Sequence, residues 1–367
     1  MKKINMYYNL RPKKIILGND GNIEKRPYYK EIRRVKKKVK VNASNIIIKN
    51  DELTLDSKLW RDNKSNKNVR NKVFGYITNG IKEMWKRKNR YTTLIIDVAT
   101  IRNQAGEFIN SAIEVTNSKC FEIVSTNCCE GEQHMYKYVD MNYKESPKSL
   151  HIMEGGVDTD HYTYSMLHQI KNPQSKILVK LKHYGTIIEE EEVFTSATSY
   201  IIDMFKLNNE LIKYCDEEKK FNAPMLFSVF WGILIGNDFV WSYDKNIEKD
   251  PRDPNKKYFL KSLIRGVNSM KLLNKAIELN MKFIKKGKTK SNKLKYVLNK
   301  DEFIILLTEI KSKEFTEEQI IHIKELLKRS EWCLNYFLNP ADDEFLKTNR
   351  KRKRNVPLKK KKKRIKN

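Results

Sequence analysis

Apolar residues are distributed in three regimes along the chain. Through the first 90 residues they are scattered among basic and polar positions. Within that stretch Lys13–Leu17 (KKIIL) predicts one short strand, running into a turn at Gly18-Asn19-Asp20-Gly21. Asn63–Asn71 (NKSNKNVRN) predicts a loop. From residue 92 short β-branched runs alternate with longer amphipathic stretches. Thr92–Val98 (TTLIIDV) and Phe121–Ser125 (FEIVS) predict buried parallel strands, with helical patterns between and after them, including Gln133–Val139. Leu150–Met153 and Lys176–Leu181 predict two more strands. Alternation of this kind predicts an α/β fold with a mostly parallel central sheet flanked by helices.

Beyond residue 200 helical periodicity dominates. Leu226–Ile235 (LFSVFWGILI) is the most apolar run, and at ten residues it reads as core, too short for a membrane span. Tyr258–Ile284 is a long amphipathic stretch. Thr316 and Gln319 have the spacing of a capping box ahead of Ile320, Ile321, Ile323, Leu326 and Leu327. The last 18 residues carry 12 Lys or Arg and no acid, which predicts a disordered tail. The resulting division is a basic N-terminal segment (1–90), an α/β core (91–245), a helical portion (246–346) and a disordered basic tail (347–367).

Charge changes the picture more than composition does. The chain holds 74 Lys and Arg against 45 Asp and Glu, a formal net charge of +29. A surplus of that size suits a polyanionic partner. The N-terminus is basic without an apolar stretch behind it, and five cysteines show no framework spacing. These features predict a reducing compartment, nucleus or cytoplasm, with no membrane association. The two basic blocks of the tail, joined by Asn355-Val356-Pro357-Leu358, are compatible with nuclear import or with a non-specific electrostatic arm.

Against this basic background, three acidic clusters stand out: Glu130-Gly131-Glu132-Gln133-His134, Gly156-Val157-Asp158-Thr159-Asp160 and Gly236-Asn237-Asp238-Phe239. A single acid-x-acid triplet means little, since about five are expected by chance in a chain this acidic. Geometry raises their interest. In an extended segment Asp158 and Asp160 would point to one side. Glu130 and Glu132 would diverge within a helix, yet both face the crevice beyond the strand ends if they occupy the turn entering one. Carboxylates gathered in this way need cations to stay ionised, and Mg²⁺ or Mn²⁺ is the natural partner for oxygen ligands. Solvated surface acids are the alternative for each cluster taken alone.

Taken in order and spacing, the clusters resemble the Xrn family of 5′→3′ exoribonucleases, within the flap-nuclease and PIN-like superfamily. Cys129-Glu130-Gly131-Glu132-Gln133-His134 looks like that family's Gly-Glu-Gly-Glu-His. Gly156-Val157-Asp158-Thr159-Asp160 looks like its Gly-Leu-Asp-Ala-Asp, and Phe230–Phe239 like its apolar segment ending in Gly-Asn-Asp-Phe. Asn19-Asp20-Gly21 with Arg33-Arg34, and Glu331–Phe337 (EWCLNYF), are similar to further segments of the family, so the likeness covers residues 15 to 340.

The resemblance implies a 5′-nuclease fold whose catalytic acids are Asp20, Glu130, Glu132, Asp158, Asp160 and Asp238. Of these, Glu132, Asp158, Asp160 and Asp238 would hold Mg²⁺ or Mn²⁺, and Lys25, Arg26, Arg33 and Arg34 would bind the 5′-phosphate. It further implies hydrolysis of single-stranded RNA from a 5′-phosphate. A DNA-directed flap nuclease, or a nucleic-acid-binding protein with a degenerate site, are the alternatives. The family opens with a strand bearing a further Asp that has no counterpart among the 19 residues before Asp20; Asp97 is a conceivable substitute in the wrong order. His161 replaces an apolar residue after the Asp pair. The abundance of Lys, Asn and Ile suggests an AT-rich, viral genome. Adjacent Cys128 and Cys129 lack zinc-site spacing. Trp85, beside Lys86, Arg87 and Lys88, is weighed as a base-stacking residue against a packing one, with packing favoured.

Overall fold

The computed structural model describes residues 11–18, 67–87, 91–102, 108–116, 119–126, 128, 130–156, 160–189, 192–213, 223–234, 269–289, 292 and 294–339. Within them the fold is α/β, with three separate sheets and helices packed between and around them.

Strand β1 (Lys14–Gly18) lies parallel to β2 (Thr93–Arg102), and β2 continues antiparallel into β3 (Phe108–Thr116) and β4 (Lys119–Ile123). Helix α1 (Lys67–Lys86) covers one face of this sheet, where Trp85 packs with Leu94, Ile96, Ile113 and Val115. On the other face Ile95, Asp97 and Ala112 are also buried, beneath helix α2 (Gly131–Glu145). Burial on both faces is why Leu94-Ile95-Ile96 runs apolar without polar alternation. Trp85 is 2% exposed, so it serves packing and is not a stacking surface.

The second sheet is a β–α–β unit with a hairpin attached. Strand β5 (Leu150–Gly156) pairs parallel to β6 (Lys176–Glu189) across helix α3 (Asp160–Lys171). Strand β6 then pairs antiparallel with β7 (Glu192–Asp203). Met153, Ile177 and Val179 turn one face of this sheet into the main core. That core is a single apolar cluster running from Tyr136 to Leu338 in sequence. It takes in α4 (Met204–Ile212), α5 (Ala223–Phe227) with the π-helical turns Ser228–Leu234, and α6 (Ser269–Glu278). It continues through the hairpin β8 (Ile284–Lys288) and β9 (Leu294–Leu298) to α7 (Lys300–Lys311) and α8 (Glu317–Leu338).

Helix boundaries follow local chemistry. Asp203 caps α4 by accepting from the Lys206 amide, and Asn299 caps α7 through the Glu302 amide. Thr316 and Gln319 complete the capping box in both directions: Gln319 N donates to Thr316 Oγ1, and Thr316 N donates to Gln319 Oε1.

Several expectations are corrected. The sheets are mixed: among the described residues two strand pairs are parallel and four antiparallel. Links of a few residues, such as those between β3 and β4 or β6 and β7, can only return the chain antiparallel, because a parallel return needs a crossover. Phe121–Ser125 is accordingly no buried parallel strand. It overlaps β4, antiparallel at the sheet edge, with Phe121 half exposed. The stretch between β2 and β4 is strand β3, where helix was expected. Of Tyr258–Ile284, only Ser269–Glu278 is described as helix, while Ile284 already begins β8. Among the described residues no helix is long and apolar enough to cross a membrane.

Candidate active site

Two helices start side by side where the sequence concentrates its acids. The segment after β4 carries Glu130 in extended conformation (φ −123°, ψ 152°) and turns directly into α2 at Gly131. Glu130 is the N-cap residue and Glu132 lies in the first turn, the entry geometry expected for this pair. Past β5 and the Gly155-Gly156 pair, α3 begins at Asp160. A helix N-terminus carries a partial positive charge, so carboxylates are stabilised there, each by about 0.3–1 kcal/mol.

Side-chain contacts join the starts of α2 and α3. His161 Nε2 lies 3.7 Å from Glu132 Oε1, with His161 almost wholly buried. Its Nδ1 lies 3.3 Å from the Tyr136 hydroxyl, which also donates to the His161 carbonyl oxygen at 3.1 Å and contacts Ser165 Oγ. Tyr164, one turn into α3, accepts from Gln133 Nε2 at 3.0 Å. Its hydroxyl is held well above the ordinary tyrosine value, first by burial and then by the negative charges of Glu130 and of Asp160. Tyr136 is raised likewise, by burial and by the Glu132 charge. Glu130 and Asp160 are both buried, at 8% and 7% exposure. Glu132 thus reaches His161 across the α2–α3 contact, and the charges of Glu130 and Asp160 both act on Tyr164.

Close packing fixes this arrangement from two sides. Gly18, at the end of β1, has no room for a side chain: a Cβ there would lie 2.1 Å from the Gly131 carbonyl oxygen. Strand β1 therefore ends directly against the first residue of α2. Gly232, in the π-helical turns, sits so close to α3 that a Cβ would lie 2.0 Å from Thr163 Oγ1. Both glycines are therefore required by the close approach of a neighbouring element.

Asp97 does not serve as the substitute acid. It is fully buried on β2 and accepts from Ser125 Oγ (2.6 Å), Thr126 N (3.1 Å) and Thr126 Oγ1 (2.9 Å). His134 Nδ1 lies 3.1 Å from Oδ2, the oxygen that also accepts from Thr126, and touches Thr126 Oγ1 as well. Burial alone would raise the Asp97 carboxyl; His134 and the two hydroxyl residues outweigh it and hold the group below the usual carboxylate range. Asp97 and His134 thus form an internal strut between β2 and α2. The sequence signal for it was an Asp inside an otherwise apolar strand, which must be paired once both faces are covered.

His168 forms a second internal pair. His168 is buried, with Nδ1 2.8 Å from Asp140 Oδ1 and Nε2 3.3 Å from the Phe337 carbonyl oxygen. Asp140 also accepts from Lys171 Nζ (2.6 Å) and Asn172 Nδ2 (2.8 Å). This network ties α2 and α3 to the last turn of α8, where Phe337 stacks on Tyr164 at 4.0 Å between ring centroids. Cys128 and Cys333 are buried thiols and Cys120 is half-buried.

Asp20, Lys25, Arg26, Arg33, Arg34, Asp158 and Asp238 lie outside the described residues, as does the basic tail. Among the described residues no group of three or more His, Cys, Asp and Glu side chains is disposed to hold a metal ion. No protein-family model, curated protein or solved structure matches the chain.

Proposed function

We propose that the chain is a metal-dependent 5′→3′ exonuclease acting on single-stranded RNA, with its acidic site at the adjoining N-termini of α2 and α3. The observation that carries the reading is the placing of Glu130, Glu132 and Asp160, from separate sequence clusters, at the starts of two helices in contact, in a protein of net charge +29. Oxygen donors of this kind fit Mg²⁺ or Mn²⁺, which bind few carboxylates and keep several waters. Glu132 and Asp160, completed by Asp158 and Asp238, would hold the ion, with Glu130 and Asp20 supporting the shell. The ion would supply water activation and stabilisation of the leaving oxygen. The protein's own part is electrostatic. The helix ends favour negative charge at the acids, and the excess cationic charge elsewhere draws in the phosphate chain. Arg33 and Arg34, with Lys25 and Arg26, would select a 5′-phosphate by bidentate contact. In this reading the fold is a variant of the 5′-nuclease arrangement, reached with mixed sheets.

A second reading, an RNA-binding protein without catalysis, draws on one observation. Asp97, the acid positioned on the strand beside β1, is consumed by its own partners and lies at 0% exposure.

The test is degradation of a 5′-monophosphorylated single-stranded RNA with and without Mg²⁺, beside the Asp158→Ala, Asp160→Ala variant and a flap DNA substrate. Mg²⁺-dependent mononucleotide release that disappears in the variant supports the exonuclease. Tight RNA binding with no product from any substrate supports the second reading and overturns the first.

A further inference from the structure

The hairpin β8–β9 has a charge pattern that neither the acidic site nor the core explains. Residues 279–300 contain eight lysines and no acid. Of these, Lys282, Lys285, Lys286 and Lys288 are exposed, and Lys295 is half-buried. Register decides what each lysine meets across the ribbon. Lys285 faces Val297, Lys286 faces Tyr296, Lys288 faces Leu294, and Lys295 faces Gly287. No lysine is opposed by a carboxylate, and none of the five is ion-paired with a described acid. A hairpin built only to fold would place opposite charges across the strands, because directly opposed pairs are where sheets gain stability.

The ribbon is nevertheless firmly seated. Phe283 and Leu298 at its base are 1% and 2% exposed in the main core. Asn299 N donates to the Phe283 carbonyl oxygen at 2.7 Å, closing the open end. Along β9, the Asn335 carboxamide acts as a further strand partner: its oxygen accepts from Tyr296 N and its nitrogen donates to Tyr296 O, both at 2.7 Å. Glu331 Oε2 accepts from Leu298 N at 3.0 Å. These two residues lie on the last turns of α8, the same turns whose Phe337 stacks on Tyr164 of α3. One stretch of helix therefore holds both the ribbon and the helix that begins at Asp160.

We propose that the β8–β9 ribbon is a nucleic-acid-binding element whose exposed lysines contact the phosphates of a single strand. Alternating strand residues lie roughly 7 Å apart on one face, so Lys286 and Lys288 can follow successive phosphates of an extended chain. Tyr296, opposite Lys286, packs against the main core and so anchors the lysine-bearing strand pair. Rigid attachment lowers the ordering cost of the contact. This assignment rests on the nucleic-acid reading above and adds to it a substrate-binding surface outside the acidic site.

The experiment measures binding of a 20-nucleotide 5′-phosphorylated oligo(U) RNA to the full chain in EDTA, across a salt series. The test variant is Lys282→Gln, Lys285→Gln, Lys286→Gln, Lys288→Gln. A charge-matched control replaces the exposed Lys119, Lys144, Lys148 and Lys313 by Gln, and circular dichroism checks that both fold. With about 0.7 of a counterion released per neutralised phosphate, losing the pairs made by Lys286 and Lys288 should lower the log–log salt slope by about 1.4. Affinity at 0.15 M salt should fall by about tenfold, while the control stays within about threefold of the parent. A slope change below 1, or one equal to the control's, overturns the ribbon proposal and leaves the exonuclease reading standing if Mg²⁺-dependent degradation persists. Failure of the unmodified chain to bind the RNA overturns both.

Discussion

Removing the Asp140 carboxylate should loosen the joint between α2, α3 and α8. Asp140 is buried, and its pKa is held well below the usual carboxylate range. Burial opposes that shift, but His168 and Lys171 outweigh it. Asp140→Asn keeps the shape while removing the charge that His168 Nδ1 and Lys171 Nζ face at 2.8 and 2.6 Å. Breaking a buried charged pair costs about 3–5 kcal/mol. Lys171 is 36% exposed on its side chain, so its share is discounted to the range of about 0–1 kcal/mol for solvated pairs. The buried His168 contact then dominates, and the expected loss at pH 7 is about 3 kcal/mol.

The pH dependence fixes the sign. A carboxyl whose folded pKa is depressed stabilises the fold above its unfolded value, about 3.9, and loses that contribution as pH falls toward the folded value. Urea midpoints of parent and variant should therefore differ by a constant amount at pH 7 and pH 5 as far as Asp140 is concerned. Their difference should begin to shrink below about pH 4 and keep shrinking as pH falls toward the folded value. A difference under about 1 kcal/mol at pH 7, or one that persists undiminished at pH 3.5, would refute the assignment of Asp140 as the charged centre of this joint.

Two further outcomes test the packing around the site. Gly232→Ala should destabilise by about 1–3 kcal/mol, because its Cβ would overlap the buried Thr163 side chain. Adding Thr163→Ala should recover part of that loss, since it removes Oγ1 and Cγ2, two of the three atoms in the way; strictly additive effects in thermal unfolding would argue against the contact. Thr316→Ala should cost about 1 kcal/mol by removing the hydroxyl that accepts from the Gln319 amide, read as a lowered midpoint in chemical unfolding. An unchanged midpoint would mean the first turn of α8 contributes nothing to the folded state.

The sequence by itself determined what depends on neighbours a few residues apart. The capping box at Thr316 and Gln319, the strand at Lys13–Leu17, helix α2 and the apolar character of Leu226–Ile235 were all legible. So was the entry of Glu130 and Glu132 into a helix, because capping, turn chemistry and periodicity act within one or two turns of chain. Strand direction was not legible. Thr92–Val98 and Phe121–Ser125 have similar composition, yet one is a central strand and the other an edge strand. The difference is set by what packs on each face and by how the links return, which no local pattern records.

The same limit applies to the chemistry. An Asp in an apolar strand looks equally suited to a metal site or to an internal pair, and only the approach of Ser125, Thr126 and His134, from 28 to 37 residues away, decides for the pair. Asn335 and Glu331 read as part of a family-like segment, while the structure makes them the clamp on a hairpin some 35 residues earlier. Gly18 and Gly232 are ordinary glycines in sequence and contact points in space. Tertiary structure decides these cases because burial turns each unpaired polar atom and each extra methyl group into a cost of kilocalories.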